Sequence, residues 1–181
     1  MVVGLAVLLS ACGFQLRGTG ENLALNELDV KARNAFGQTL TDVRERLQDN
    51  GVTVSASAPY TLVLSSEEEN LRAASYSNAG RSAEHQINID LYYQLLNEQK
   101  HVLLSDKVSA QRFYMQDQNN VIGSSEEARQ IKIEMRRELI DNLIGQLRLI
   151  SPERLSSLEQ QAQARADAEK AAAGPQHSPV E

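Results

Sequence analysis

Apolar and polar residues alternate strictly from Ile87 to Leu95: Ile87, Ile89, Leu91, Tyr93 and Leu95 interleave with Asn88, Asp90, Tyr92 and Gln94. A period of two puts the first set on one face of a strand and the second on the other. Asn97 to Lys100 supplies turn-forming residues, and Val102 to Met115 reads as a second long strand, so the two make a hairpin. Each arm spans on the order of 40 Å at the usual rise per residue. A polar connection follows, Gln116 to Gly123, and Ser124 with Glu127 has the spacing of a capping box that opens a helix reaching Leu149. At its ordinary rise that helix is about 35 Å long, matching the hairpin it covers.

Upstream, Leu28, Val30 and Ala32 alternate with polar residues and predict a first strand. Phe36, Leu40, Val43 and Leu47 fall at helical spacing, and Gly51 is placed to cap that helix. Val52 to Val54 and Tyr60 to Leu64 read as strand interrupted by Pro59, while Glu67-Glu68-Glu69 and the stretch from Ser75 to Gly80 read as a turn or mobile loop. Ser151-Pro152 marks a break and a new helix start. Beyond it the chain is rich in Ala, Gln and Glu with little apolar pattern, so residues 151–181 read as a tail, helical or disordered, that adds little to the core. The order β-α-β-β-β-α predicts an α+β fold: a two-layer sandwich with two helices packed on one face of a four-stranded sheet.

The N-terminus changes the setting of this domain. Val2 to Leu9 is uncharged, has the length of a signal-peptide h-region and is too short to span a bilayer as a helix. It closes on Leu9-Ser10-Ala11-Cys12, where a bacterial lipoprotein signal is cut and the new N-terminal cysteine acylated, and Cys12 is the only cysteine in the chain. Residues 1–11 are therefore expected to be a lipoprotein signal, 12–21 an acylated N-terminus and spacer, and 22–150 the folded domain. No Lys or Arg precedes Val2, where an n-region usually carries one, so the start reads as truncated. Several acyl chains together hold a protein firmly at a membrane where one is marginal. Gly13 rather than Asp after the cysteine favours the outer membrane under the usual Gram-negative sorting rule.

Composition narrows the functions. A formal net charge of −6 argues against a nucleic-acid partner. With no Trp and few aromatics, carbohydrate-stacking platforms are not expected. His85, His101 and His177 show no metal-ligand spacing, and no nucleophile elbow, phosphate loop or dinucleotide motif is present. An enzyme is not expected, nor any cofactor beyond the acyl chains on Cys12. The long helix carries a subtler signal. Gln130, Glu134, Arg137, Glu138, Asp141 and Arg148 share a polar face, with Arg137 and Asp141 spaced for an ion pair. Arg129, Lys132 and Arg136 lie inside the mostly apolar arc instead. Their stems either snorkel at the edge of the buried stripe or form a basic row suited to an amphipathic anion such as a phosphorylated glycolipid.

Cys12 is followed at once by Gly13-Phe14-Gln15-Leu16-Arg17-Gly18. Cys-Gly-aromatic-x-Leu-Arg directly after a lipobox resembles the LPS-assembly lipoprotein family, LptE. The segment Ala79-Gly80-Arg81-Ser82-Ala83-Glu84-His85-Gln86-Ile87 is similar to that family's loop entering its central hairpin, and Gln130-Ile131-Lys132-Ile133-Glu134-Met135 to the start of its C-terminal helix. The likeness covers Cys12 to about Ile150. It implies an outer-membrane lipoprotein, lipid-anchored on the periplasmic side, that plugs and assists assembly of the LptD β-barrel in lipopolysaccharide transport to the cell surface. It also implies lipopolysaccharide binding through basic residues on the loop before the hairpin and on the last helix. Arg81 and Lys132 lie near those places, and with Arg129 and Arg136 they are the binding candidates. The alternative is a generic periplasm-facing lipoprotein, a secretion-apparatus component or an unrecognised enzyme, sharing only the anchor.

Overall fold

The computed structural model describes residues 24–33, 37–76, 82–117 and 120–173. Its elements are β1 (Glu27–Ala32), α1 (Gly37–Asp49), β2 (Thr53–Val54), β3 (Thr61–Tyr76), β4 (Ser82–Leu96), β5 (Val102–Asp117), α2 (Val121–Arg148) and α3 (Pro152–Ala173). The strands form one mixed sheet in the order β2-β1-β3-β4-β5. β1 runs parallel to both its neighbours, and β3, β4 and β5 are antiparallel.

The alternation along β4 decides the layering. Ile87, Ile89, Leu91, Tyr93 and Leu95 are all buried, together with Leu28, Val30, Leu62 and Leu64 from the other strands. Val43 and Leu47 of α1 and Met135, Leu139, Leu143 and Leu147 of α2 close the core from the same side. Each fully buried aliphatic side chain contributes roughly 1.5–3 kcal/mol. Tyr93 carries its polar tip through this layer, its hydroxyl donating to Gln146 Oε1 of α2 at 2.6 Å. The hairpin turn is closed as its residues suggested: His101 N donates to Asn97 Oδ1 at 2.8 Å, and Lys100 takes φ 63. This turn sits at the end of the sheet where β1 and β3 begin, here called the base; the opposite end is the tip.

The α+β class is as expected, but the sheet has five strands and the described residues hold three helices rather than two. Three physical causes account for the difference. First, the segments on either side of Pro59 are separate strands on opposite sides of β1: Val54 pairs with Leu28, whereas Thr61 pairs with Asp29. The Gly51 turn, with φ 79, lets the chain leave α1 and enter β2. Second, Glu67-Glu68-Glu69 is strand and not loop, because β4 is long enough to pair with β3 as far as Tyr76, with register shifts near Ser65 and Ala74 absorbing the irregularities. Third, residues 152–173 form α3, whose Leu155, Leu158 and Ala162 join the core. Arg165 Nη2 donates to the carbonyl of Val102 and the Tyr60 hydroxyl to Glu159, tying this helix to the base.

α2 also begins a turn earlier than its capping-box signal indicates. Asn120 is the cap, its Oδ1 accepting from Gly123 N at 3.1 Å. Ser124 is turned inward and its Oγ accepts from Asp117 N, so it fastens the connection instead of opening the helix. No helix among the described residues is long and apolar enough to cross a membrane.

Candidate functional site

At the tip, α2 rises beside the end of β5 and leaves a groove of about 310 Å³. Tyr114 and Gln116 form its sheet side; Val121, Ser124, Ala128, Arg129 and Lys132 form its helix side. The exposed apolar residues on the helix side of the tip are Leu71, Val121 and Ile122, the last 85% exposed. His85 stacks on Tyr114 with ring centroids 5.5 Å apart, stiffening the floor. Basic groups beside exposed apolar surface suit a ligand that is both anionic and greasy.

The three basic residues of α2 do not act as one row. Arg129 pairs with Glu126 one turn earlier on the same helix, and Lys132 Nζ lies 2.5 Å from Glu69 Oε1 of β3. Arg129 and Lys132 share the tip groove, whereas Arg136 borders different grooves, between α2 and α1. The buried Nε of Arg136 has no hydrogen-bond partner. The expected Arg137–Asp141 pair is replaced by one between helices, Arg46 Nη2 to Asp141 Oδ1 at 2.6 Å. Arg81 and Cys12 lie outside the described residues.

The other face of the sheet is mainly polar over its tip half, where Phe113 and Met115 are the exposed apolar exceptions. Asn70, Arg72, Gln86, Asn88 and Gln111 line a shallow depression, with Arg72 Nε donating to Gln86 Oε1 at 2.8 Å. Toward the base, Asp90 accepts from Ser109 Oγ at 2.5 Å and from Lys107 Nζ at 3.0 Å. The Lys107 ammonium also stands 5.5 Å from the Tyr92 ring centroid. The Ser109 hydrogen bond, helped by Lys107, holds the Asp90 carboxyl below its ordinary pKa. This network is a fixed array of donors and acceptors rather than a loose set of surface charges. Sequence reasoning placed these residues on a polar face but missed that Asp90, Lys107 and Ser109 interlock. Once the tight turn at Asn97 fixes the register, Asp90 falls opposite Ser109.

The small α+β sandwich thus presents two unlike surfaces, a mainly polar sheet face and a basic tip groove rimmed by apolar residues. Solved structures share its fold at low identity. Rare lipoprotein B from Shewanella oneidensis has a TM-score of 0.57 and 21% identity over 80% of this chain and 99% of that one. Lipoprotein B from Nitrosomonas europaea has a TM-score of 0.61 and 19% identity over 82% and 96%. A minor lipoprotein from Acinetobacter baumannii has a TM-score of 0.53 and 18% identity over 71% and 92%. Among curated proteins no sequence matches significantly. The model of the LptE family, described as Lipopolysaccharide-assembly, matches residues 25–147, and the protein belongs to that family.

Proposed function

We propose that this LptE-family protein is an outer-membrane lipoprotein, held on the periplasmic side by acyl chains on Cys12, that plugs the LptD β-barrel and assists its assembly. In this role it takes part in carrying lipopolysaccharide to the cell surface, without catalysing a reaction and without a cofactor. The observation that carries the reading is the sheet face. Its tip half presents side-chain amides and a guanidinium, with Arg72 bonded to Gln86, beside the exposed Phe113 and Met115. Such a mixed, mainly polar face suits the wet inner wall of a barrel, where hydrogen bonds and bridging water supplement a few apolar contacts.

The lipopolysaccharide-binding part of the proposal rests on the tip groove. Phosphate groups would meet Arg129 and Lys132, and acyl chains the exposed Val121 and Ile122. Arg81, outside the described residues, is kept as a further candidate, whereas Arg136 lines other grooves and is left out of this site.

A photo-crosslinking residue in place of Gln111 or Phe113, on the polar face, tests the plug role. Crosslinks to a single large barrel are expected. Crosslinks to nothing, from cells in which that barrel is made, would sink the reading.

A further inference from the structure

The groove between α1 and α2 is unlike the tip groove and has no place in the role above. It encloses about 560 Å³, within the range of small-molecule sites. Apart from Arg46 and Asp141, which pair with each other across it, its walls carry opposite charge. Asp42, Glu45 and Asp49 recur at helical spacing along the α1 wall, and Arg136 and Arg137 stand on the α2 wall. Buried Ile140 forms part of the apolar surface between them.

These charges do not satisfy one another. Among the described residues, none of the three α1 carboxylates reaches an ammonium or guanidinium, and neither arginine reaches a carboxylate. The one ion pair joining the walls, Arg46 to Asp141, with Arg148 bonded to Asn50, pins the helices together at the base. The Arg136 Nε is a buried donor with no acceptor. A buried unmade hydrogen bond is rare, because it forfeits the hydration of that group. Asp42 Oδ1 accepts from Gln38 Nε2 on its own helix, a neutral partner that leaves its charge unpaired. The groove thus holds an unused anion donor facing a row of carboxylates that no cation neutralises.

We propose that this groove binds a phosphoethanolamine group, with the phosphate on Arg136 and Arg137 and the ammonium on the Asp42, Glu45 and Asp49 wall. The guanidinium fork matches phosphate oxygens, and a primary ammonium has three N–H donors to distribute among carboxylates. A simple anion would meet repulsion from the α1 wall, and a simple cation from the α2 wall. Only a ligand with both charges a few bonds apart pairs with both. The site stands whether or not the tip binds a glycolipid, since the two grooves share no residue.

The test is calorimetric titration of the acylated full chain in detergent with five water-soluble probes. Glycerophosphoethanolamine should bind about tenfold more tightly than glycerol 3-phosphate or ethanolamine, one charge-assisted contact being the difference. Glycerophosphocholine, which lacks ammonium N–H groups, should bind no better than glycerol 3-phosphate. Arg136→Gln should weaken glycerophosphoethanolamine about tenfold, and Asp42→Asn with Glu45→Gln should bring it down to the level of glycerol 3-phosphate. Both changes are on half-buried or exposed positions, and thermal unfolding of each variant checks that the fold is kept. Dihexanoyl phosphatidylethanolamine binding more tightly than the free diester would assign the group to a lipid, and equal binding would assign it to a soluble ester. Equal affinity for glycerol 3-phosphate and glycerophosphoethanolamine, no effect of Arg136→Gln, or no heat with any probe would each overturn the proposal.

Discussion

Lys132 of α2 and Glu69 of β3 meet at 2.5 Å, so a carboxylate from the sheet already holds the lysine of the tip groove. Both side chains are more than a third exposed, and such pairs are worth about 0–1 kcal/mol. An anionic ligand can therefore displace Glu69 at little cost.

Glu69→Gln should strengthen lipopolysaccharide binding, by up to about fivefold at low salt, because it removes the internal competitor. Replacing Arg129 and Lys132 together with Ser should weaken binding, and the difference from the unaltered protein should shrink as salt rises. Binding assays across a salt series check both. Indifference to all three changes would leave these residues as snorkelling neighbours of the core.

The C-terminal helix should matter for stability. Leu155, Leu158 and Ala162 are buried against the base. Leu158→Ala should lower the urea unfolding free energy by about 2 kcal/mol, the small end of the core range because the site lies near the margin of the sheet. A chain ending at Ser151 should lose more. An unchanged midpoint in both would mean that α3 does not dock.

Two tyrosines set the alkaline limit. Burial, helped by the nearby Asp106 charge, pushes Tyr93 up to about 12. Burial and the bonded Glu159 push Tyr60 up to about 12 as well. In the unfolded chain both ionise near their ordinary value of about 10. The folded state holds its protons longer, so this stability is complete below pH 10 and is lost as pH rises toward 12. Tyr60→Phe and Tyr93→Phe should each flatten the fall in unfolding free energy across that window. An equally steep fall in the double variant would place the alkaline sensitivity elsewhere.

Gly123 and Asn120 should be coupled. A Cβ at Gly123 would come within 2.9 Å of the Asn120 side-chain oxygen that caps α2. Gly123→Ala gains helix propensity but displaces the cap, so in the unaltered protein the two effects should nearly cancel. In the Asn120→Ala background only the gain remains. The double-mutant cycle should show a coupling of about 1 kcal/mol. Additive effects would mean that the cap is not formed.

Much of this architecture is written in local pattern. The period-two run from Ile87 to Leu95 gave β4, the Asn97 turn gave the hairpin, and Leu139, Leu143 and Leu147 gave the buried stripe of α2. What was hidden depended on partners distant in sequence. Glu67 and Glu69 look like a solvated acidic loop until Thr39 and Lys132 are seen to receive them on the helix side of the sheet. Leu155 and Leu158 look too sparse for a packed helix until the base offers a surface that needs only a narrow stripe. The basic residues of α2 were legible as a row, but not its division between two grooves, because that depends on where α1 lies. The family resemblance began at Cys12 to Gly18, ahead of the segment that the family model matches, and extended to Ala79–Ile87 and Gln130–Met135, which lie within it.

Partnership with a barrel is open to one plain experiment, mild-detergent purification of the acylated protein from outer membranes. Mass spectrometry of what co-elutes should find one large β-barrel in near-equal amount. A solitary lipoprotein, recovered from membranes that contain the barrel, would contradict the plug role.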